Sequence, residues 1–345
     1  MIPSIDIAPL FGPASPQRDA ADRRIMRAAE TSGFMAVTGL PEDVPHGAAT
    51  RAGLLRLFSL PEAEKRKLYR RKFDASRPNV YHGWFPLQNG GSTYKEGIDM
   101  GPDIADQGPA HLENNGDPAD PLTEKTPLPD EAALPGWRAA AAAYYRGMER
   151  TGQLLMRAIA RGLNLNEKFF DPYFKNGIST LRLIRYPVRP PESFAGVDES
   201  AIYVTHLGKR RHLIGGAHVD SGFVTLLAQD GVEGLQARGA GKQWIDVPPI
   251  EGSLAVNFGG LLERWTGGRI KATEHRVIGP ERERRSIPFF YEPRVDARIE
   301  PLPVKAAAQF QPFLYGDHLW AAMTKFIEFR GLEALRPPKG KQAAE

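Results

Sequence analysis

The fold and the chemistry of this chain both turn on residues 215–222, GGAHVDSG, and on the apolar run FVTLL that follows at 223–227. Alternate side chains of an extended strand point to the same side, so His218 and Asp220 would present an imidazole and a carboxylate together. A further histidine, His275, lies in a later strand-like segment. Two histidines and one carboxylate leave several coordination positions of a metal ion open, which suits non-haem iron(II). The pattern predicts a metal site formed by His218, Asp220 and His275.

Short β-rich runs separated by Gly, Asp and Pro fill the second half of the chain. We predict strands at residues 181–186, 215–220, 223–228, 235–237, 244–247, 253–258, 270–277 and 286–291. About eight short strands at this spacing indicate a sandwich or barrel. Most of them have no long helix between them, which disfavours a parallel α/β sheet.

Helical spacing dominates the first half, with helices predicted at residues 19–31, 48–58 and 137–161, and a last helix is predicted near 317–329. Apolar and small residues recur along the longest of these at three- or four-residue steps, namely Tyr144, Met148, Thr151, Leu155 and Ile159. Such a stripe is buried, so we expect this helix to back a sheet. The Pro-, Asp- and Asn-rich residues 102–136 are expected to form a long surface excursion without regular structure.

Composition excludes several classes of protein. The chain has no cysteine, which excludes disulfides, thiolate zinc sites, cysteine-ligated iron–sulfur clusters and cysteine nucleophiles. Its 45 basic and 41 acidic residues are too evenly balanced to suggest a nucleic-acid partner. No apolar run approaches the roughly 18 residues of a membrane helix, so no membrane association is expected. The N-terminus lacks the features of a signal peptide, and a cytoplasmic location is the expectation.

A lone His-x-Asp pair occurs often by chance, but further motifs accompany this one. They are Ser32-Gly33-Phe34, Asn257-Phe258-Gly259, Ala272-Thr273-Glu274-His275-Arg276-Val277 and Arg284-Arg285-Ser286. With them, most of the chain resembles the isopenicillin N synthase-like family of iron(II)- and 2-oxoglutarate-dependent oxygenases. The sequence departs from the family pattern at Thr38-Gly39, where His-Gly is usual, and at Gly260, where Asp is common. Neither departure falls on an expected metal ligand.

The resemblance implies a mainly β core with flanking helices, that is, a double-stranded β-helix (jelly-roll) barrel backed by a long helix. We expect one oxygenase domain over residues 1–335. Within it, a mostly helical N-terminal region would span 1–175, the jelly-roll core 176–300 and a C-terminal helical region 301–335. Residues 336–345 are expected to form a disordered tail.

The same resemblance implies roles for individual residues. Iron(II) would be bound by His218, Asp220 and His275, and O₂ would be the oxidant. Arg284 and Ser286 would hold the distal carboxylate of the co-substrate 2-oxoglutarate, because a planar guanidinium offers two parallel donors and the hydroxyl adds a third. Tyr186 would reach the same carboxylate or pack in the core. Candidate substrate residues, each also a candidate core residue, are Tyr81, His82, Phe223 and Phe289.

The implied activity is oxidation of a small organic substrate by hydroxylation, desaturation or cyclisation, with release of succinate and CO₂. An alternative is an isopenicillin N synthase-like oxidase that uses O₂ without 2-oxoglutarate, in which Arg284 and Ser286 bind the carboxylate of the substrate. A zinc hydrolase and a non-catalytic jelly-roll binding module are further alternatives. The substrate and the oligomeric state do not follow from the sequence.

Overall fold

The computed structural model of the chain describes residues 2–88, 93–105, 117, 119–279, 282–304 and 309–340. Its helices are α1 (Pro16–Thr31), α2 (Ala48–Leu55), α3 (Glu62–Arg66), α4 (Trp137–Gly162), α5 (Asp171–Phe174), α6 (Glu199–Ile202), α7 (Gly260–Trp265) and α8 (Tyr315–Met323). Short 3₁₀ turns occupy Ala8–Phe11, Arg56–Ser59, Pro102–Ile104, Pro121–Thr123, Pro191–Phe194 and Glu333–Leu335. No helix in this part of the chain is long and apolar enough to cross a membrane.

Strands in the N-terminal half are β1 (Ser4–Asp6), β2 (Phe34–Thr38), β3 (Gly83–Phe85) and β4 (Glu96–Met100). The remainder are β5 (Thr180–Tyr186), β6 (Tyr203–His206), β7 (Lys209–His218), β8 (Val224–Gln229), β9 (Leu235–Arg238), β10 (Trp244–Asp246), β11 (Leu254–Phe258), β12 (His275–Ile278), β13 (Arg284–Tyr291), β14 (Arg298–Ile299) and β15 (Phe313–Leu314).

Two sheets form the jelly roll. The larger has eight strands in the order β1-β2-β11-β8-β13-β5-β4-β3, and the smaller has five in the order β10-β9-β12-β7-β6. Apolar residues from both sheets pack together between them, namely Phe34, Ile184, Tyr186, Ile214, Leu235, Ala237, Val247, Ala255 and Val277. A larger apolar core covers the other face of the eight-stranded sheet, where α4 packs on β13 and β8. The predicted fold class, a mainly β jelly roll backed by a long helix, is confirmed.

Strand register brings the predicted site residues together. His275 on β12 pairs directly with His218 on β7 across the smaller sheet. On the larger sheet, Arg284 of β13 lies opposite Tyr186 of β5, and Ser286 lies opposite Ile184. Because side chains alternate along a strand, Arg284 and Ser286 share one face of the sheet.

Several predicted bounds differ from the structure. β7 ends at His218, so Asp220 lies in the loop beyond the strand, and β12 begins only at His275. Residues 102–136 are not a surface excursion throughout, since Asp120 and Leu122 are buried. The predicted tail begins with a buried residue, Arg336, whose guanidinium binds Asp120, and the described chain continues to residue 340. Residues 341–345 lie outside the described residues.

A buried charge cluster joins the N-terminal strands to the core sheet. The carboxylate of Asp99 on β4 accepts hydrogen bonds from the guanidinium groups of Arg70 and Arg182, and all three side chains are largely or fully buried. Burial alone would raise the pKa of Asp99, but the two arginines outweigh it and lower the pKa to about 2. The carboxylate is therefore ionised at neutral pH and neutralises part of two buried positive charges.

We predict that Asp99→Ala lowers the free energy of unfolding by about 3–5 kcal/mol at neutral pH, because it leaves two buried guanidinium groups without their partner. Since the pKa of Asp99 is lower in the folded state, its stabilisation is present above about pH 4 and is lost as the pH falls toward 2. The difference between wild type and variant should therefore shrink in acid. Chemical denaturation at several pH values measures both effects.

Asp43→Ala is the matched control, because Asp43 forms an exposed ion pair with Arg150 at 2.6 Å. This change should cost no more than about 1 kcal/mol. An equal loss in the two variants would contradict the structural role assigned to Asp99.

Candidate metal centre

The three predicted metal ligands converge at one end of the smaller sheet, where β7 ends and β12 begins. Oδ1 of Asp220 lies 3.7 Å from Nε2 of His218 and 3.7 Å from Nε2 of His275. One ligand atom from each of the three residues lies within 4.8 Å of the others. Across the described ranges, no other group of three His, Cys, Asp or Glu side chains converges in this way.

Backbone carbonyls fix the orientation of both imidazoles. Nδ1 of His218 lies 2.8 Å from the carbonyl oxygen of Gly216, and Nδ1 of His275 lies 3.0 Å from that of Thr273. A carbonyl only accepts hydrogen bonds, so Nδ1 carries the proton in each ring. The lone pair of each imidazole is therefore on Nε2, the atom that faces Asp220.

Two neighbouring strands of the larger sheet hold the carboxylate of Asp220. Its Oδ2 accepts hydrogen bonds from Oγ1 of Thr225 at 2.6 Å and from Nδ2 of Asn257 at 2.7 Å. Thr225 on β8 and Asn257 on β11 are directly paired across the sheet. These bonds leave Oδ1 free to face the two imidazoles. Sequence reasoning did not assign a role to Thr225 or Asn257, although both are polar residues at inward positions of apolar strands.

The protonation states suit a divalent metal ion. Burial lowers the pKa of His218 to about 4, with the nearby His275 acting in the same direction, so the ring is neutral at physiological pH. Burial would raise the pKa of Asp220, but the two imidazoles and its two hydrogen bonds outweigh this and lower it. Neutral imidazoles and an ionised carboxylate are the forms that bind metals. Two ligand atoms that are 3.7 Å apart can both bind one metal ion at roughly 2.0–2.2 Å. The three residues therefore fit the divalent iron expected from the sequence.

Arg284 is a buried cation with an incomplete set of partners. It is 1% exposed, its Nη2 donates to Gln229 at 3.3 Å, and its Nε has no hydrogen-bond partner in the described structure. Its guanidinium lies 5.3 Å from the centre of the Tyr186 ring. Burial lowers the pKa of Arg284, against the opposing effects of Tyr186 and Asp230. A buried guanidinium without a carboxylate partner is costly, and an anionic ligand would offset that cost.

One cavity of about 540 Å³ contains both the three converging residues and Arg284. Of the other residues predicted from the sequence, Ser286, Tyr186, Tyr81 and Phe223 also line it. Its walls therefore draw on both sheets and on the N-terminal region.

Two of the predicted substrate residues lie elsewhere. His82 is fully buried, with its Nδ1 2.9 Å from the carbonyl oxygen of Glu124, and it does not line the cavity. Phe289 packs edge-on against Tyr145 of α4. Alternation along β13 explains this placement, because Phe290, rather than Phe289, points into the cavity.

The cavity has a second polar region that sequence reasoning missed. Thr180, Arg182 and Glu292 line it, together with Lys95 and Glu328, which form an ion pair at 3.2 Å. The one available signal for Glu292 was a charged residue directly after the apolar strand that ends at Tyr291.

Glu292 is a buried acid with an unusual pKa. Burial raises the pKa of its carboxyl to about 8, and Asp220 and Asp99 also raise it, while Tyr315 and Arg182 oppose the shift. No ion pair involves Glu292 within the described ranges. The carboxyl therefore keeps its proton at neutral pH.

Two family models match this chain, one in its C-terminal half and one in its N-terminal part. Residues 184–293 match the family model of the 2OG-Fe(II) oxygenase superfamily, and residues 2–121 match that of the N-terminal region of non-haem dioxygenases in morphine synthesis. The 2-oxoglutarate-dependent dioxygenase citB of Monascus ruber is 31% identical over 314 residues, which covers 87% of each chain. Isopenicillin N synthase of Streptomyces clavuligerus is 28% identical over 346 residues, covering 96% of this chain and 97% of that enzyme.

A solved structure shares the whole fold. It is a full-length protein of Neurospora crassa in complex with alpha-KG and 5-formyluracil, and it superposes with a TM-score of 0.74 at 25% identity. The match covers 94% of this chain and 96% of the Neurospora chain.

We predict that the free energy of unfolding of Glu292→Gln, measured relative to that of the wild type, increases as the pH rises. Between the ordinary pKa near 4.5 and the folded-state value of about 8, the folded protein retains a proton that the unfolded chain releases. The free energy of unfolding of the wild type therefore falls across this window, whereas glutamine does not ionise. Urea denaturation of metal-free protein from about pH 5 to about pH 9 measures the difference. A difference that does not change with pH would contradict the raised pKa.

Proposed function

The chain belongs to the 2OG-Fe(II) oxygenase superfamily, and on that premise we propose that His218, Asp220 and His275 bind its iron(II) while Arg284 and Ser286 bind 2-oxoglutarate. One observation carries the proposal: three oriented ligand atoms line the same cavity as a buried arginine that forms no ion pair with any described residue. The enzyme is a non-haem iron(II)- and 2-oxoglutarate-dependent dioxygenase that oxidises a small organic substrate. The oxidation is a hydroxylation, a desaturation or a cyclisation of that substrate.

The residues of the chain prepare the site for this chemistry. When bound, iron(II) and 2-oxoglutarate together activate O₂ and oxidise the substrate, and 2-oxoglutarate leaves as succinate and CO₂. Thr225 and Asn257 keep Oδ1 of Asp220 directed at the metal position. Arg284 and Ser286 would grip the distal carboxylate of 2-oxoglutarate and set its orientation, and the Tyr186 ring would close the pocket beside them.

Both halves of the chain form the cavity, since Tyr81 and Arg284 line it together. This supports a single oxygenase domain over residues 1–335. The volume of the cavity, about 540 Å³, supports a small-molecule substrate. The cytoplasmic location and the absence of a nucleic-acid or membrane partner stay predictions from the sequence.

We predict that His218→Ala and Asp220→Ala each weaken iron(II) binding by more than about 100-fold, because loss of a direct ligand exceeds the 10- to 100-fold effect of losing a residue that only orients one. The fold should persist, since neither side chain belongs to the apolar cores. Anaerobic equilibrium dialysis measures the affinity, and near-ultraviolet circular dichroism reports the packing.

His206→Ala is the control for these variants, because His206 pairs with Asp246 away from the cavity. It should bind iron(II) as tightly as wild type. Unchanged iron binding in His218→Ala or Asp220→Ala would defeat the ligand assignment.

We predict that Arg284→Ala weakens 2-oxoglutarate binding by roughly 2–5 kcal/mol, which is about 30-fold to several thousand-fold in the dissociation constant. Arg285→Ala is the matched control, because the neighbouring Arg285 binds Glu283 and does not line the cavity. Anaerobic calorimetry with iron(II) present measures both affinities. Unchanged 2-oxoglutarate affinity in Arg284→Ala would instead support the oxidase alternative, in which Arg284 binds the carboxylate of the substrate.

A further inference from the structure

The polar region at Thr180 and Glu292 is too far from Arg284 to serve the same ligand. On β13 and β5, Arg284 lies opposite Tyr186, whereas Phe290 lies opposite Thr180. A strand rises about 3.3 Å per residue, so these two ends of the sheet are roughly 20 Å apart. Given the proposed function, on which this inference rests, 2-oxoglutarate occupies the Arg284 end. The other end is then available to the substrate.

Buried polar atoms at this end lack hydrogen bonds of normal geometry. Oε2 of Glu292, Oγ1 of Thr180 and the hydroxyl of Tyr315 are fully buried, and none of them has such a bond in the described structure, although Tyr315 lies close enough to Glu292 to act on its pKa. Glu292 is 5% exposed overall and lines the cavity. Buried polar groups are nearly always hydrogen-bonded, and those that are not are commonly completed by a ligand or water.

Arg182 supplies hydrogen-bond donors at the same end of the cavity. Its Nε and Nη2 both donate to Asp99, and no partner for Nη1 is found in the described part of the chain. The side chain is 12% exposed and lines the same cavity. Arg182 and Glu292 are both close enough to the Tyr81 hydroxyl to act on it electrostatically. A donor and an acceptor therefore line the same part of the cavity as Tyr81.

We propose that this end of the cavity recognises the amide edge of a neutral substrate, a carbonyl next to an N–H as in a lactam, an imide or a cyclic urea. Nη1 of Arg182 donates to the carbonyl, and the Glu292 carboxyl accepts from the N–H. Phe223, Phe290 and Phe326 also line the cavity and would pack against a flat ring.

The balance of charge favours a neutral ligand over an ion. A cationic amine would be held next to Arg182, where Arg70 and Arg182 already share the single carboxylate of Asp99. A carboxylate ligand would compete with Asp99 for Arg182, whose Nε and Nη2 already bind that carboxylate, and it would lie near the ionised Asp220. Burial also keeps a proton on Glu292 at neutral pH, since its pKa is raised to about 8. A protonated carboxyl still offers its carbonyl oxygen as the acceptor for the N–H of the ligand.

The recognised edge would lie beside the proposed metal position. A β-carbon placed on Gly222 would be 3.5 Å from Oε1 of Glu292, and Gly222 is two residues from Asp220. A ring anchored at Glu292 therefore stands next to the segment that supplies a metal ligand. Glu292 is thus a specificity-determining residue for the oxidation.

The test measures binding of three probes of increasing size, 2-piperidone, thymine and 2-quinolone, each against its N-methylated counterpart. Benzylamine and benzoate serve as cationic and anionic probes. Wild type, Glu292→Leu, Glu292→Gln and the exposed-site control Glu251→Gln are titrated anaerobically with iron(II) and 2-oxoglutarate bound. The affinity for 2-oxoglutarate itself and the unfolding temperature of each variant report whether the site and the fold are intact.

We expect at least one N–H probe to bind wild type at least about tenfold more tightly than its N-methylated counterpart, and Glu292→Leu to remove that difference. Glu292→Gln should retain most of it, because glutamine also carries a donor and an acceptor. Glu251→Gln should match wild type, and 2-oxoglutarate affinity should be equal in all four proteins.

Equal binding of every N–H probe and its N-methylated counterpart would overturn the proposal, as would tighter binding of benzylamine or benzoate that depends on Glu292. If that result came with normal conversion of 2-oxoglutarate to succinate, the proposed function would stand and only the substrate class would fall. A wild-type protein that neither binds 2-oxoglutarate nor forms succinate would defeat the proposed function and this inference with it.

Discussion

The orientation of the Asp220 carboxylate is the interaction on which the rest of the site depends. The two imidazoles that its Oδ1 faces, those of His218 and His275, belong to the five-stranded sheet, whereas Thr225 and Asn257, which hold its Oδ2, belong to the eight-stranded sheet. The carboxylate therefore joins the two layers of the jelly roll at the mouth between them. If either sheet shifted by one residue in register, the hydrogen-bonding side chains would turn to the opposite face and the three ligand atoms would separate.

The two ends of the cavity, which follow the direction of β13, carry different polar groups. At one end the buried Arg284 forms no ion pair with any described residue, and at the other end the same holds for the buried Glu292; the three converging residues line the same cavity. The Arg284 end suits an anion, and the Glu292 end suits a neutral polar group. On the proposed function, 2-oxoglutarate and a neutral substrate would therefore bind to different residues of one cavity.

Short motifs, together with the family resemblance that they carry, led to the predicted metal ligands and the Arg284–Ser286 pair. His218 and Asp220 are two positions apart, and so are Arg284 and Ser286, so strand alternation alone predicts that each pair shares one face, whereas His275 and the role of Arg284 came from the resemblance. Strand alternation was the reason given for placing His218 and Asp220 together, but β7 ends at His218. Side-chain hydrogen bonds from Thr225 and Asn257 hold the carboxylate of Asp220 instead.

Residues whose roles depend on long-range packing could not be predicted in this way. Glu292 follows β13, which pairs with the distant strands β5 and β8, and its carboxyl is affected by Tyr315 and Arg182 from other parts of the chain. His82 and Phe289 lie in aromatic segments that favour a pocket, yet one is buried against Glu124 and the other against α4.

The central claim is tested most directly by anomalous diffraction at the iron edge from crystals grown anaerobically with iron(II). The account predicts one strong peak at roughly 2.0–2.2 Å from Nε2 of His218, Nε2 of His275 and Oδ1 of Asp220; a peak elsewhere, or none at this position, would contradict it.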